Sequence, residues 1–222
     1  DIRDREIAGF IASSLAYGRV AQILTSVRRV LRHMGPSPRS FVLQTRPTTL
    51  TGLFNDFKHR FTAGAEMARL IANLRRMLEE HGSLNTCFLA GFSDSDETII
   101  PALGRFTHHL REHAGHLVPT PLGGGACKRL NLFLRWMVRK DDVDPGGWKG
   151  IPAGKLVIPL DTHMQTIGRK LKLTRRKAPG LPMALEITES FRRFSPDDPV
   201  KYDFALTRFG IRADMTIEEL TG

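Results

Sequence analysis

Cysteine, tryptophan and tyrosine are scarce in this chain, with two of each in 222 residues. Two thiols, Cys87 and Cys127, do not make a disulfide scaffold, and they point to a reducing compartment. They also fall short of the four thiolates that hold an iron–sulfur cluster. Long apolar runs are missing: no stretch approaches a membrane span, and the N-terminus, which opens at Asp1 without a methionine, carries no signal-peptide pattern. Negative charge is under-represented as well, with 23 acidic residues against 33 lysines and arginines, for a net charge of +10.

What is present is an ordinary globular composition, 41% hydrophobic and 25% charged, long enough for one large domain or two small ones. The positive excess is concentrated. From Lys128 to Lys177 there are 13 basic and 4 acidic residues, a surplus of +9. Such a zone suits a polyanion held through its phosphates; the plainer reading is a solvated basic face. A membrane partner is not expected, because no strongly amphipathic helix with an aromatic apolar face stands free of a core role.

Nearly every segment reads at helical period, so the expected fold is all-α. Asp4 to Met34 carries an apolar stripe of Ile7, Phe10, Ile11, Leu15, Leu24, Val27 and Leu31, stopped by Gly35-Pro36. Further helices are expected at Pro38–Gln44, Leu50–His59, Gly64–His81, Ser83–Ala90, Asp96–Ala114, Ala126–Lys140, Asp161–Leu173, Leu181–Phe194 and Pro199–Phe209. Only Lys155–Ile158 reads as extended, and Asp141 to Gly154 forms a Gly- and Pro-rich irregular stretch. The expected arrangement is two helical lobes with a cleft between them. Residues 36–118 form one lobe; residues 1–35 and 119–222 form the other, which carries the hairpin.

Two segments carry chemistry. Gly123-Gly124-Gly125-Ala126-Cys127-Lys128 is a glycine hairpin running into an amphipathic helix. On that helix Arg135, Arg139 and Asn131 share the face of Lys128, and Leu130, Phe133, Leu134 and Met137 lie opposite. A lysine nucleophile attacks only when neutral; the positive end of the helix and the nearby Arg129 and Arg135 oppose charge there. Pro159-Leu160-Asp161-Thr162-His163 is an extended approach that ends in an acid at a helix start. An N-cap explains Asp161 fully, and the same capped carboxylate is suited to face a developing positive charge.

This pairing resembles the helix-hairpin-helix DNA glycosylases, over roughly Thr120 to Phe209. The resemblance implies a two-lobed helical fold in which Lys128 is the Schiff-base lysine and Asp161 the essential aspartate. It implies a bifunctional enzyme, DNA glycosylase and abasic-site lyase, acting on double-stranded DNA that contains a damaged base. The 33-residue separation of Lys128 and Asp161 is most similar to the archaeal 8-oxoguanine glycosylase branch, which carries an insert there. Asp198-Pro199-Val200-Lys201-Tyr202-Asp203-Phe204 resembles that branch's later helix, which makes Asp203 a candidate for contacting the base. The string from Ala126 through Arg139 followed by the Asp161 motif also resembles an uncharacterised bacterial family. The chain departs from the common pattern in having two residues, Ala126 and Cys127, between hairpin and lysine. Gly18 and Thr207 stand where the archaeal branch places its base-reading glutamine and tryptophan, so an oxidised purine is one lesion among several.

The candidate site is therefore Lys128 and Asp161 for catalysis, with Asp203, Tyr17 and Trp148 at the base. Gly123, Gly124, Gly125, Arg129, Arg135, Arg139 and His163 would contact the DNA backbone, the glycines through their amides. For Tyr17 and Trp148 the plainer reading is packing. No cofactor is expected, and the protein is expected to be a monomer in the cytoplasm, associated with the nucleoid. One alternative is a helical nucleic-acid binder without catalysis. Another is a zinc peptidase: His109-Leu110-Arg111-Glu112-His113 fits H-x-x-E-H, with Glu186 or Glu189 as third ligand. Five-residue motifs recur by chance, and no metal is expected. Cys127 at a helix start is a possible nucleophile, but without an identifiable histidine partner it reads as a packed residue.

Overall fold

The computed structural model describes residues 1–114 and 116–211. Eleven α-helices and one short β-hairpin make up the regular structure among them. The chain divides into two compact units, one of residues 1–93 and 101–120, the other of 94–100 and the residues from 121 onward.

The first unit contains α1 (Ile2–Ser14), α2 (Val20–Met34), α3 (Pro38–Gln44), α4 (Pro47–Leu53), α5 (Gly64–His81), α6 (Leu84–Ala90) and most of α7 (Ile100–Leu110). Strands β1 (Lys58–His59) and β2 (Thr62–Ala63) pair antiparallel between α4 and α5. Helix α5 is its axis, burying Met67, Leu70, Ile71, Leu74, Met77 and Leu78 at the spacing of one helical face. Glu66 reaches back to the amide of Ala63 at 2.9 Å and fastens the start of α5. Gly64 must be glycine, because a Cβ there would lie 1.5 Å from the carbonyl oxygen of Phe54.

Three sequence expectations need correction in this unit. Asp4–Met34 is two helices, broken where Gly18 takes a left-handed φ of 94° and the Tyr17 hydroxyl turns to the β-hairpin. Residues 1–35 belong to the first unit rather than with the hairpin and the residues after it. The reason is electrostatic as well as apolar: Asp4 accepts from the Arg39 amide at 2.9 Å, and buried Glu6 accepts from the Leu84 and Asn85 amides at 3.0 and 3.2 Å. Carboxylates of α1 thus cap the starts of α3 and α6. The helix expected over Leu50–His59 stops at Leu53, and its last two residues form β1.

The second unit holds α8 (Lys128–Val138), α9 (Thr162–Lys170), α10 (Leu181–Arg192) and α11 (Asp203–Ile211). Its core is Leu130, Phe133, Leu134 and Met137 of α8 with Met164, Ile167, Met183 and Ile187. Asp96 to Ile99 lie outside α7, and the Ile99 amide bonds to the Lys155 carbonyl at 3.0 Å. Lys155–Ile158 joins no strand; Leu156, Val157 and Ile158 are buried, and the Ile158 amide is met by the Thr188 hydroxyl at 3.0 Å. The irregular stretch after α8 folds back on that helix, with Gly146 and Trp148 amides donating to the Trp136 and Met137 carbonyls.

No described helix is long and apolar enough to cross a membrane.

Candidate active site

The hairpin delivers Lys128 to the start of α8. Pro121–Gly123 forms one 3-10 turn, and the Gly124 amide closes on the Pro121 carbonyl at 2.9 Å. Gly124 has φ of 73°, a conformation open to glycine at no steric cost. Its carbonyl accepts from the Leu181 amide at 2.8 Å, which ties the start of α10 to the hairpin. Cys127 then takes a left-handed φ of 47° and its carbonyl receives the Leu130 and Asn131 amides. The Cys127 side chain is buried, which removes it as an exposed nucleophile.

Asp161 is the N-cap of α9, its Oδ1 accepting from the Met164 amide at 2.8 Å. Lys128, Asp161 and Asp203 line one pocket of about 260 Å³ together with Arg135, Trp136, Pro159 and Phe204. All the residues that line it belong to the second unit. The volume suits a single small ring system rather than an extended ligand.

Beside the pocket lies a buried ionic cluster. Arg135 donates to Asp203 and, at 3.1 Å, to Asp144; Arg139 donates to Asp144, to Asp198 at 2.9 Å and to Asp141 at 2.8 Å. Arg135 is 4% exposed, Asp203 4% and Asp144 fully buried. The polar face of α8 is therefore an internal face. This corrects the expectation that Arg135 and Arg139 meet DNA phosphates: both guanidiniums are spent on carboxylates. Asp141 also receives the Val143 and Asp144 amides, and those bonds, first of all from Asp144, hold its carboxyl below the ordinary range. Burial pushes the Asp203 carboxyl up to about 6, against the pull of Arg135 and with the repulsion of Asp161. Its Oδ1 is buried without a hydrogen-bond partner among the described residues.

Packing removes Trp148 from the base contacts, and Tyr17 is engaged within the first unit. Trp148 is 6% exposed and stands edge-on to Phe133 at 5.2 Å, a core contact. Tyr17 belongs to the first unit, where its hydroxyl bonds to the His59 carbonyl and the Thr62 hydroxyl and its ring stands edge-on to His59 and His116. His163 packs on α11, close enough that a Cβ on Gly210 would lie 2.4 Å from its Nδ1. Gly123, Gly124 and Gly125 are exposed, and Arg129 is half-buried in the first turn of α8.

Three residues to which the sequence had given no role at the site are Asp144 and Asp198, which neutralise the arginines, and Phe204, a 42%-exposed ring that lines the pocket. Leu122, 85% exposed, stands at the hairpin beside the glycines. Two arginines one turn apart, Arg135 and Arg139, followed closely by Asp141, Asp142 and Asp144, were the available signal for the cluster. Surface positive charge remains between α9 and α10, where Lys172, Arg175, Arg176 and Lys177 are exposed. There Glu186 accepts from the Arg175 amide and pairs with Arg176 at 3.0 Å, which orders the loop.

The zinc-peptidase motif does not assemble. Helix α7 ends at Leu110, Glu112 pairs with Arg76 at 2.7 Å, and His113 has a left-handed φ of 52°. The helical geometry that places two histidines one turn apart is absent, and Glu186 and Glu189 are engaged by Arg176 and Arg192.

No curated protein and no solved structure matches the chain. A family described as "Protein of unknown function (DUF2400)" matches residues 1–212. The chain belongs to that family.

Proposed function

We propose that this protein is a base-excision DNA glycosylase with abasic-site lyase activity, built on a helix-hairpin-helix glycosylase fold. The observation that carries the reading is that Lys128 and Asp161, 33 residues apart, line one pocket beside an exposed glycine hairpin. A damaged nucleotide flipped out of double-stranded DNA would present its sugar there. The Lys128 amine attacks the anomeric carbon as the bond to the base breaks, and the base leaves with the bonding pair and takes a proton. Ring opening gives an imine on Lys128. Loss of a proton from the adjacent sugar carbon then expels the 3′ phosphate. Asp161 stabilises the cationic sugar and takes part in the proton transfers. Phe204 offers the ring for stacking, and Asp203 stands in the pocket wall as the candidate to meet the base edge. The hairpin amides and the basic α9–α10 loop suit the backbone phosphates.

The test is a panel of duplex oligonucleotides carrying different lesions, with borohydride added to reduce imines. The parent protein is expected to give a covalent adduct with at least one lesion, mapping to Lys128, and Lys128→Gln to give none. A parent that binds DNA but traps with no lesion is a nucleic-acid binder without catalysis.

A further inference from the structure

We infer that His81, Cys87 and His109 form a binding site for a thiophilic divalent cation of the zinc class, with a fourth position open to water. This site lies in the first unit and is independent of the proposed glycosylase chemistry.

Three element ends converge there. His81 is the last residue of α5, Gly82 turns the chain with a left-handed φ of 77°, and Ser83 caps α6 so that Cys87 comes one turn in. The last turn of α7 supplies His109. One ligand atom from each of the three residues lies within 4.8 Å of the others. Sulfur and imidazole nitrogen at about 2.3 and 2.1 Å from zinc would stand about 3.3–3.6 Å apart in a tetrahedron, so closing the site takes about an ångström of side-chain rotation. The two imidazoles that must rotate are only half-buried, and their centroids are 5.4 Å apart, edge to face.

A second observation points the same way. His81 Nε2 is buried and has no hydrogen-bond partner among the described residues, with only the Glu80 carboxylate 3.5 Å away. A buried nitrogen left without a partner costs free energy that a metal bond would repay. The ligands border a cavity of about 270 Å³ also lined by Ala90, Gly91, Arg105 and His108, which gives the cation a route in and room for a water. Burial first, and then Glu80, pushes the Cys87 thiol up to about 12, so the metal-free residue is a thiol and not a reactive thiolate. On binding, the cation replaces that proton, which passes to solvent, and the Cys87 sulfur becomes the anionic ligand. Two neutral imidazoles and one thiolate match zinc and cobalt better than magnesium or calcium.

The experiment uses the full chain, stripped of metal by chelator and titrated with Co2+. The parent is expected to take up one equivalent with a thiolate-to-cobalt charge-transfer band, and added Zn2+ is expected to abolish the band and raise the melting temperature. Cys87→Ser should lose the band. His109→Ala, a change at a half-exposed position, should weaken Co2+ binding by more than about tenfold, because even outer-shell losses cost about that much. Cys127→Ala and His113→Ala should bind as the parent does. A parent without the band, a band that survives Cys87→Ser, or one that follows Cys127 would overturn the site. A Cys87→Ser protein that does not fold leaves His109→Ala to decide: parental affinity in that variant overturns the site equally.

Discussion

Arg135 and Asp203 form a buried ion pair in the wall of the pocket that Lys128 and Asp161 line. The pair joins α8 to α11 through the side chain of the first and the first residue of the second. Each charge has been taken out of water, so the cost of breaking the pair exceeds its net worth when intact.

Arg135→Met should therefore destabilise the protein by about 3–5 kcal/mol, because Asp203 loses its partner in the interior and must either stay ionised without compensation or take up a proton. Arg135→Met combined with Asp203→Leu should recover much of that loss, since Arg139 still serves Asp144. Urea-unfolding midpoints of the two variants decide the matter. A double variant as unstable as the single one would mean that Asp144 alone, left with half its partners, sets the cost.

The Asp203 carboxyl also gives stability a pH dependence. Its pKa is raised from 3.8 to about 6, so between those values the folded state holds a proton that the unfolded chain has released. The stability this group contributes is fully present below about pH 4 and is lost as pH rises through about 6. Asp203→Asn removes the titration. Parent stability measured against that variant should fall by about 3 kcal/mol between about pH 4 and pH 7. Parallel stability curves would place the carboxyl in the ordinary range.

Asp161 separates capping from chemistry. Asp161→Asn should melt like the parent, as asparagine caps as well as aspartate, whereas Asp161→Ala should lose about 1 kcal/mol with the Met164 bond. Both should slow base removal by about a hundredfold or more, because neither side chain balances a cationic sugar. If Asp161→Asn processes lesions at the parental rate, the carboxylate is a cap and nothing else.

DNA affinity should fall steeply with salt, and the dependence should follow the surface loop rather than the buried arginines. Replacing Arg175 and Lys177 by alanine should flatten the log–log slope by about 1.8, at about 0.9 per phosphate contact. Arg139→Met, if folded, should leave it unchanged, its charge being held by Asp198, Asp144 and Asp141. A slope altered by Arg139→Met and not by the loop pair would put the DNA on the face of α8.

Local signals carried far in this sequence. Periodicity and caps marked α3 and α5 to the residue, and the acid before Thr162 marked both the cap and the start of α9. These elements are settled by residues within a turn or two of each other, which is the range over which propensity and capping act. The juxtaposition of Lys128 with Asp161 was implied only by the resemblance of their two segments to a glycosylase family; the pocket itself needed the fold. What tertiary structure alone decided was the destination of charge and of aromatic rings. Arg135 and Arg139 look like a cationic stripe on a helical wheel, yet Asp144, Asp198 and Asp203, up to 68 residues away, draw them inside. Trp148 and Tyr17 are spent on contacts made across loops. The convergence of His81, Cys87 and His109 depends on where three helices end. A buried charge or a ligand cluster is a property of long-range packing, and no local pattern in the chain encodes which distant carboxylate or imidazole will complete it.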